Sequence, residues 1–170
     1  DGNRKKEKYD KILSEKSIEK KILFLVSEET KQKRYRTQVN LPFVPEESRL
    51  KLIDRLKTKF SENENVQVHC EIPFLDKNGR KICNAIGFAD VVNDETVYEL
   101  KFVSELKHTH FLQCACYMIA LNLDKGILWN TRNNKAYVIK ILDRNTFLTS
   151  VIRTITKGHI CEYHKTKFAV

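Results

Sequence analysis

Apolar residues return at helical spacing through the first stretch of the chain. Tyr9, Ile12, Leu13, Ile18, Ile22, Leu23 and Val26 recur with lysines between them, which predicts an amphipathic helix over residues 4 to about 30. A second helix is expected to start near Pro45, where proline fits the first turn and Glu46 and Glu47 suit the positive end. Leu50, Ile53, Leu56 and Phe60 form its apolar stripe, and the polar run 61–65 stops it. The period then falls to two. Val66, Val68, Cys70, Ile72 and Phe74 alternate with polar residues as a half-buried strand does. Asp76-Lys77-Asn78-Gly79 reads as a hairpin turn. Further strands are expected over 81–92 and 97–102, then a helix over 104–123 that buries Phe111, Leu112, Ala115, Met118 and Ile119. Two short strands, 127–130 and 136–141, flank a turn at 131–134, and Phe147, Leu148, Val151, Ile152 and Ile155 mark a last helix. Helix, helix, three strands, helix, two strands, helix predicts an α/β domain with a mixed sheet covered by helices on both faces.

Composition narrows this picture. With 170 residues, 41% of them apolar, and only five Gly and three Pro, the chain reads as one globular domain. Its expected parts are a helical portion 1–65, a core 66–141, and a helix with a basic tail over 142–170. It begins at Asp1 and is expected to be cut from a larger chain with other domains. The longest apolar runs are too short to span a bilayer, so no membrane partner is expected. The net charge of +9 is uneven. Residues 1–40 carry twelve basic against seven acidic groups, residues 131–170 eight against two, and the middle is mildly acidic. A basic periphery around acidic residues suits a polyanion and a cation, and equally suits solvated helix faces. Lys31, Lys33, Arg34 and Arg36 around Tyr35 form a basic loop that could clasp a phosphate backbone. Five cysteines without a C-x-x-C pair indicate neither a disulfide framework nor a zinc ribbon, and read as reduced, intracellular thiols. His159-x-Cys161-x-x-His164 lacks the paired half that a zinc site needs.

The chemistry lies between Gly87 and Tyr117. Glu99 and Lys101, two apart on one strand, leave it on the same face. A two-residue turn before that strand, at Asp94-Glu95 or Asn93-Asp94, puts Asp90 on the same face; a three-residue turn puts it on the other. Two carboxylates so close need a cation between them. Mg²⁺ or Mn²⁺ fits, with the Leu100 carbonyl as a further ligand. Such an ion would polarise a scissile phosphate and help ionise the attacking water, with Lys101 orienting that water or steadying the transition state. The alternative is an ordinary surface pair, but the flanking Val97, Tyr98, Leu100 and Phe102 argue for burial. Gln113 and Tyr117 share one helical stripe with His110. Their amide and phenol could contact a phosphate or a base, or could simply satisfy each other at the core margin.

Asp90, then Glu99-Leu100-Lys101, then Gln113-x-x-x-Tyr117 resembles the PD-(D/E)XK nuclease superfamily, and within it the RecB-like exonuclease branch. The resemblance covers residues 66–141. It implies a restriction-endonuclease-like core and metal-dependent phosphodiester hydrolysis. Asp90 and Glu99 are then metal ligands, Lys101 the catalytic lysine, and Gln113 and Tyr117 positioning groups. Ala89 stands where the family name has Pro. For the further upstream ligand of many RecB-like members, Glu46, Glu47 and Asp54 are the candidates, and no His precedes His69. The cysteine spacing of the iron–sulfur members is missing, so no cluster is expected. The expectation is a Mg²⁺- or Mn²⁺-dependent nuclease, most readily a DNA exonuclease, with DNA favoured over RNA. The alternatives are a non-catalytic nucleic-acid-binding scaffold on the same fold, and an RNA-directed endonuclease.

Overall fold

The computed structural model describes residues 2–14, 16–29, 31, 34, 36, 44–160 and 162–163. Two compact units divide the chain, Asp1–Ile53 and Asp54–Val170.

The first unit holds α1 (Gly2–Leu13), α2 (Ile18–Glu29) and the start of α3 (Glu46–Lys59). The single helix expected over 4–30 is two. Ser17 Oγ accepts the Lys20 amide at 3.3 Å and so starts a new helix, while Ser14 Oγ turns back onto the Lys11 carbonyl. Tyr9 meets Phe24 edge-on at 5.3 Å, and Arg49 pairs with Glu19 at 2.5 Å. Of the basic loop, Lys33 and Tyr35 lie outside the described residues. Arg36 is engaged with Glu28 at 2.5 Å and sits over the Phe24 ring.

The second unit is built on one five-stranded sheet, β1 (Asn65–Leu75), β2 (Lys81–Asn93), β3 (Thr96–Lys101), β4 (Lys125–Asn130) and β5 (Lys135–Ile139), in that order. The first three strands form an antiparallel meander, β3 and β4 are parallel, and β4 and β5 form a hairpin. The parallel step needs a crossover, which α4 (His108–Ala120) supplies across one face. Its Cys114 and Met118 pack on Val97 and Ala89. Gly126 lets the helix come this close, since a Cβ there would collide with the Met118 sulfur. α4 is shorter than the 104–123 expected. It begins where the Lys107 amide donates to His110 Nδ1. It ends in a Schellman motif, with Asn122 at φ 54° and the Leu123 amide on the Met118 carbonyl.

The last helix, α5 (Arg144–Ile155), is capped by Asp143 and sets Leu148 and Ile152 against Ile72 and Phe74. On the opposite face, Phe60 after α3 meets Tyr98 and Trp129, and Arg55 holds the Thr131 carbonyl. The result is an α/β fold with a mixed sheet flanked by helices, consistent with a restriction-endonuclease-like core. Cys114 and Cys116 fall in different apolar clusters, and Cys70, Cys83, Cys114 and Cys116 are free thiols. Among the described residues no helix is long and apolar enough to cross a membrane.

Candidate active site

β2 and β3 are joined by a two-residue turn, Asp94-Glu95, with φ of 46° and 56°. Positive φ at both central residues is the hairpin geometry whose twist matches that of the strands. The ladder runs Asn93–Thr96, Val92–Val97, Val91–Tyr98, and stops. One step further Asp90 would face Glu99. There the Asp90 carboxylate takes over from the main chain, with Oδ2 accepting the Leu100 amide at 2.7 Å. In the alternation of an antiparallel ladder that amide belongs to the Ala89 carbonyl. Asp90 Oδ1 accepts from Gln67 Nε2 of β1 at 3.3 Å. Gln67 itself adopts φ 51° and drops out of the β1–β2 register between Val66–Val91 and Val68–Ala89. The Leu100 carbonyl turns toward this opening, because its neighbour Lys101 gives its own carbonyl to Thr131 on the β4 side.

Glu99 is 1% exposed. Its Oε1 accepts from Lys101 Nζ at 2.5 Å, and its Oε2 is buried with no hydrogen-bond partner. Burial, and then the neighbouring Asp90 carboxylate, push the Glu99 carboxyl up to about 7 against the pull of Lys101. Burial also raises Asp90, in spite of the Leu100 amide and Lys101. A polar relay leads outward from Lys101. Its Nζ donates to Gln113 Oε1 at 3.1 Å, and Gln113 Nε2 donates to the Tyr117 hydroxyl at 2.8 Å. The Tyr117 ring lies on Gly87, where a Cβ would come within 2.7 Å of the ring and of its hydroxyl. Burial raises the Tyr117 phenol, opposed by Gln113. His110 feels Lys101 as well, but its imidazole is lowered mainly by desolvation and its Nδ1 caps α4.

Asp90, Glu99, Lys101, Gln113 and Tyr117 thus converge, with the Leu100 carbonyl at the same opening. Two neighbouring carboxylates that burial raises, one of them raised further by the other and left with a bare buried oxygen, suit a hard divalent cation completed by water and substrate oxygens. Among the described residues no group of three or more His, Cys, Asp or Glu gathers, so Asp54, which lies in the same unit, does not complete a ligand set with Asp90 and Glu99. Gln67 was not legible as part of the site, since an isolated glutamine in an alternating strand carries no signal. The tail ligands Cys161 and His164 lie outside the described residues.

A solved structure, the crystal structure of a protein named SSO0001, shares 23% identity with the chain and covers 78% of it and 69% of its own length, at a TM-score of 0.48. No curated protein sequence matches the chain. A family model described as PD-(D/E)XK nuclease superfamily matches residues 53–141, which span β1 to β5 and both carboxylates. Those 89 residues are more than half of the 170. Members of this superfamily are nucleases that generally use divalent metals. The chain belongs to the PD-(D/E)XK nuclease superfamily.

Proposed function

We propose that the chain is a Mg²⁺- or Mn²⁺-dependent DNA exonuclease of the RecB-like branch, with Asp90, Glu99 and the Leu100 carbonyl holding the ion. The observation that carries this reading is the bare Oε2 of the buried Glu99, one charge-bearing oxygen that the protein leaves unsatisfied beside a second carboxylate. When bound, a divalent cation supplies Lewis acidity at the scissile phosphate and lowers the pKa of the attacking water. Lys101 places a positive charge where the transition state gathers negative charge, and Glu99 and Gln113 hold its ammonium in place. Tyr117 fixes Gln113 in turn, and Gly87 makes room for Tyr117. The preference for DNA ends rests on the likeness of Gln113-x-x-x-Tyr117 to the RecB-like motif.

One observation favours a second reading, a nucleic-acid-binding module without turnover: no third His, Cys, Asp or Glu side chain groups with Asp90 and Glu99 among the described residues. Incubation with linear and circular DNA, single- and double-stranded, and with RNA, in Mg²⁺, Mn²⁺ or EDTA, separates them. The expected result is metal-dependent release of nucleotides from linear DNA ends, lost in Asp90→Ala and Lys101→Ala. Cutting of circles or of RNA contradicts the exonuclease and DNA assignments. Binding without cleavage in any metal establishes the second reading.

A further inference from the structure

A cleft of about 320 Å³ opens between the loop after β3 and the β4–β5 hairpin. The strand registers relate it to the candidate active site. Lys101, Asn130 and Lys135 form one row across three strands, and Glu99, Leu128 and Tyr137 the next. Residues directly opposite share a face, so Lys135 and Tyr137 stand on the face that carries Glu99 and Lys101, about 10 Å away at two strand spacings. α4 reaches both places: Gln113 holds Lys101, and Phe111 meets the Tyr137 ring at 5.6 Å and 70°.

The lining is polar and aromatic. Tyr137 is 43% exposed, although its ring is already braced on one side by Phe111. Asn133 spends its carbonyl on the Lys135 amide at 3.1 Å, which leaves its amide nitrogen for a ligand. Lys135 has no ion-pair partner at its ammonium among the described residues. Glu105 adds an acceptor on the opposite wall. The floor is rigid: the Asn130 amide is consumed by Val103 N, Val103 O and Arg132 N, tying the loop to the hairpin. An aromatic face, an amide donor, a carboxylate acceptor and a free ammonium are the groups that stack a base, read its edge and meet its phosphate.

We propose that this cleft is a nucleotide subsite, holding the base of a nucleotide near the scissile one on the same strand, stacked on Tyr137, with its phosphate on Lys135. It rests on the nuclease reading above and adds a residue set that reading does not use.

The test is fluorescence anisotropy on Lys101→Ala protein in Mg²⁺, so that bound strands are not consumed. The probes are a short single-stranded oligonucleotide and a series with one abasic site stepped along it. Tyr137→Leu should weaken binding roughly five- to a hundredfold, the range for loss of one base–aromatic stack, and Tyr137→Phe should restore it. One abasic position should weaken binding to the Tyr137 protein and make no further difference to Tyr137→Leu. Unchanged affinity in Tyr137→Leu, with no abasic position mattering, overturns the subsite alone. Absence of binding to any oligonucleotide overturns the subsite together with the reading beneath it.

Discussion

The Asp90 carboxylate accepts the Leu100 amide at 2.7 Å, a side chain of β2 standing in the ladder position of β2's own main chain. The exchange does two things at once. It satisfies the amide at the point where the strands part, and it fixes Asp90 beside Glu99 instead of leaving it to swing into solvent. The repulsion between the carboxylates is thereby built in, and it adds to burial in raising the Glu99 carboxyl.

Burial of Glu99, with the Asp90 carboxylate beside it, makes stability depend on pH in the direction opposite to an acid whose pKa folding lowers. Glu99 ionises near 4.5 in the unfolded chain and at about 7 when folded. Between these values the folded state binds more protons, so the metal-free protein loses stability as pH rises through the window, by about 3 kcal/mol. Thermal denaturation across this range should show the decline, Glu99→Gln should flatten it, and Mg²⁺ should raise the melting temperature chiefly above pH 7. A metal-free protein that gains stability over the same range contradicts the account.

Gln67 carries a left-handed backbone for the sake of its bond to Asp90. Gln67→Ala keeps the strain and loses the bond, whereas Gln67→Gly loses both. Cleavage should fall roughly 10- to 100-fold in each, as for other groups that orient a metal ligand. The Gly variant should nevertheless be more stable than the Ala variant by about 1 kcal/mol in urea denaturation. The reverse order of stabilities would show that the backbone at Gln67 is unstrained.

Gly87→Ala drives a Cβ to 2.7 Å from the Tyr117 ring and hydroxyl. Overpacking of this kind costs about 1–3 kcal/mol, and displacement of Tyr117 frees Gln113 from its 2.8 Å bond. Activity and stability should therefore fall together. In a Tyr117→Ala background the same substitution should cost little, a coupling that a double-mutant cycle measures directly. Additive effects would mean that Gly87 and Tyr117 do not contact each other.

Much of this arrangement is written in short-range pattern. The period-two run at 66–74, the E-x-K strand and the i, i+4 pair Gln113 and Tyr117 each depend on neighbours a few residues apart, and strand parity carried Asp90 to Glu99 once the turn had two residues. What escaped depends on choices that hydrophobic rhythm does not record. Ser14 and Ser17 break a continuous apolar stripe by bonding to backbone. Asn122 ends α4 through a left-handed turn while leucines continue on both sides of it. Gln67 leaves an alternating strand because of Asp90, 23 residues away. The rows that bring Lys135 and Tyr137 to the face of Lys101 follow only from the parallel register of β3 and β4.

Calorimetric titration with Mn²⁺ above pH 7, where Glu99 ionises, reaches the central claim most directly. The account predicts saturable binding by the wild-type protein, lost or weakened at least tenfold in Asp90→Asn and in Glu99→Gln, with both variants folded and neither less stable than wild type without metal. Equal Mn²⁺ binding by all three proteins would contradict it.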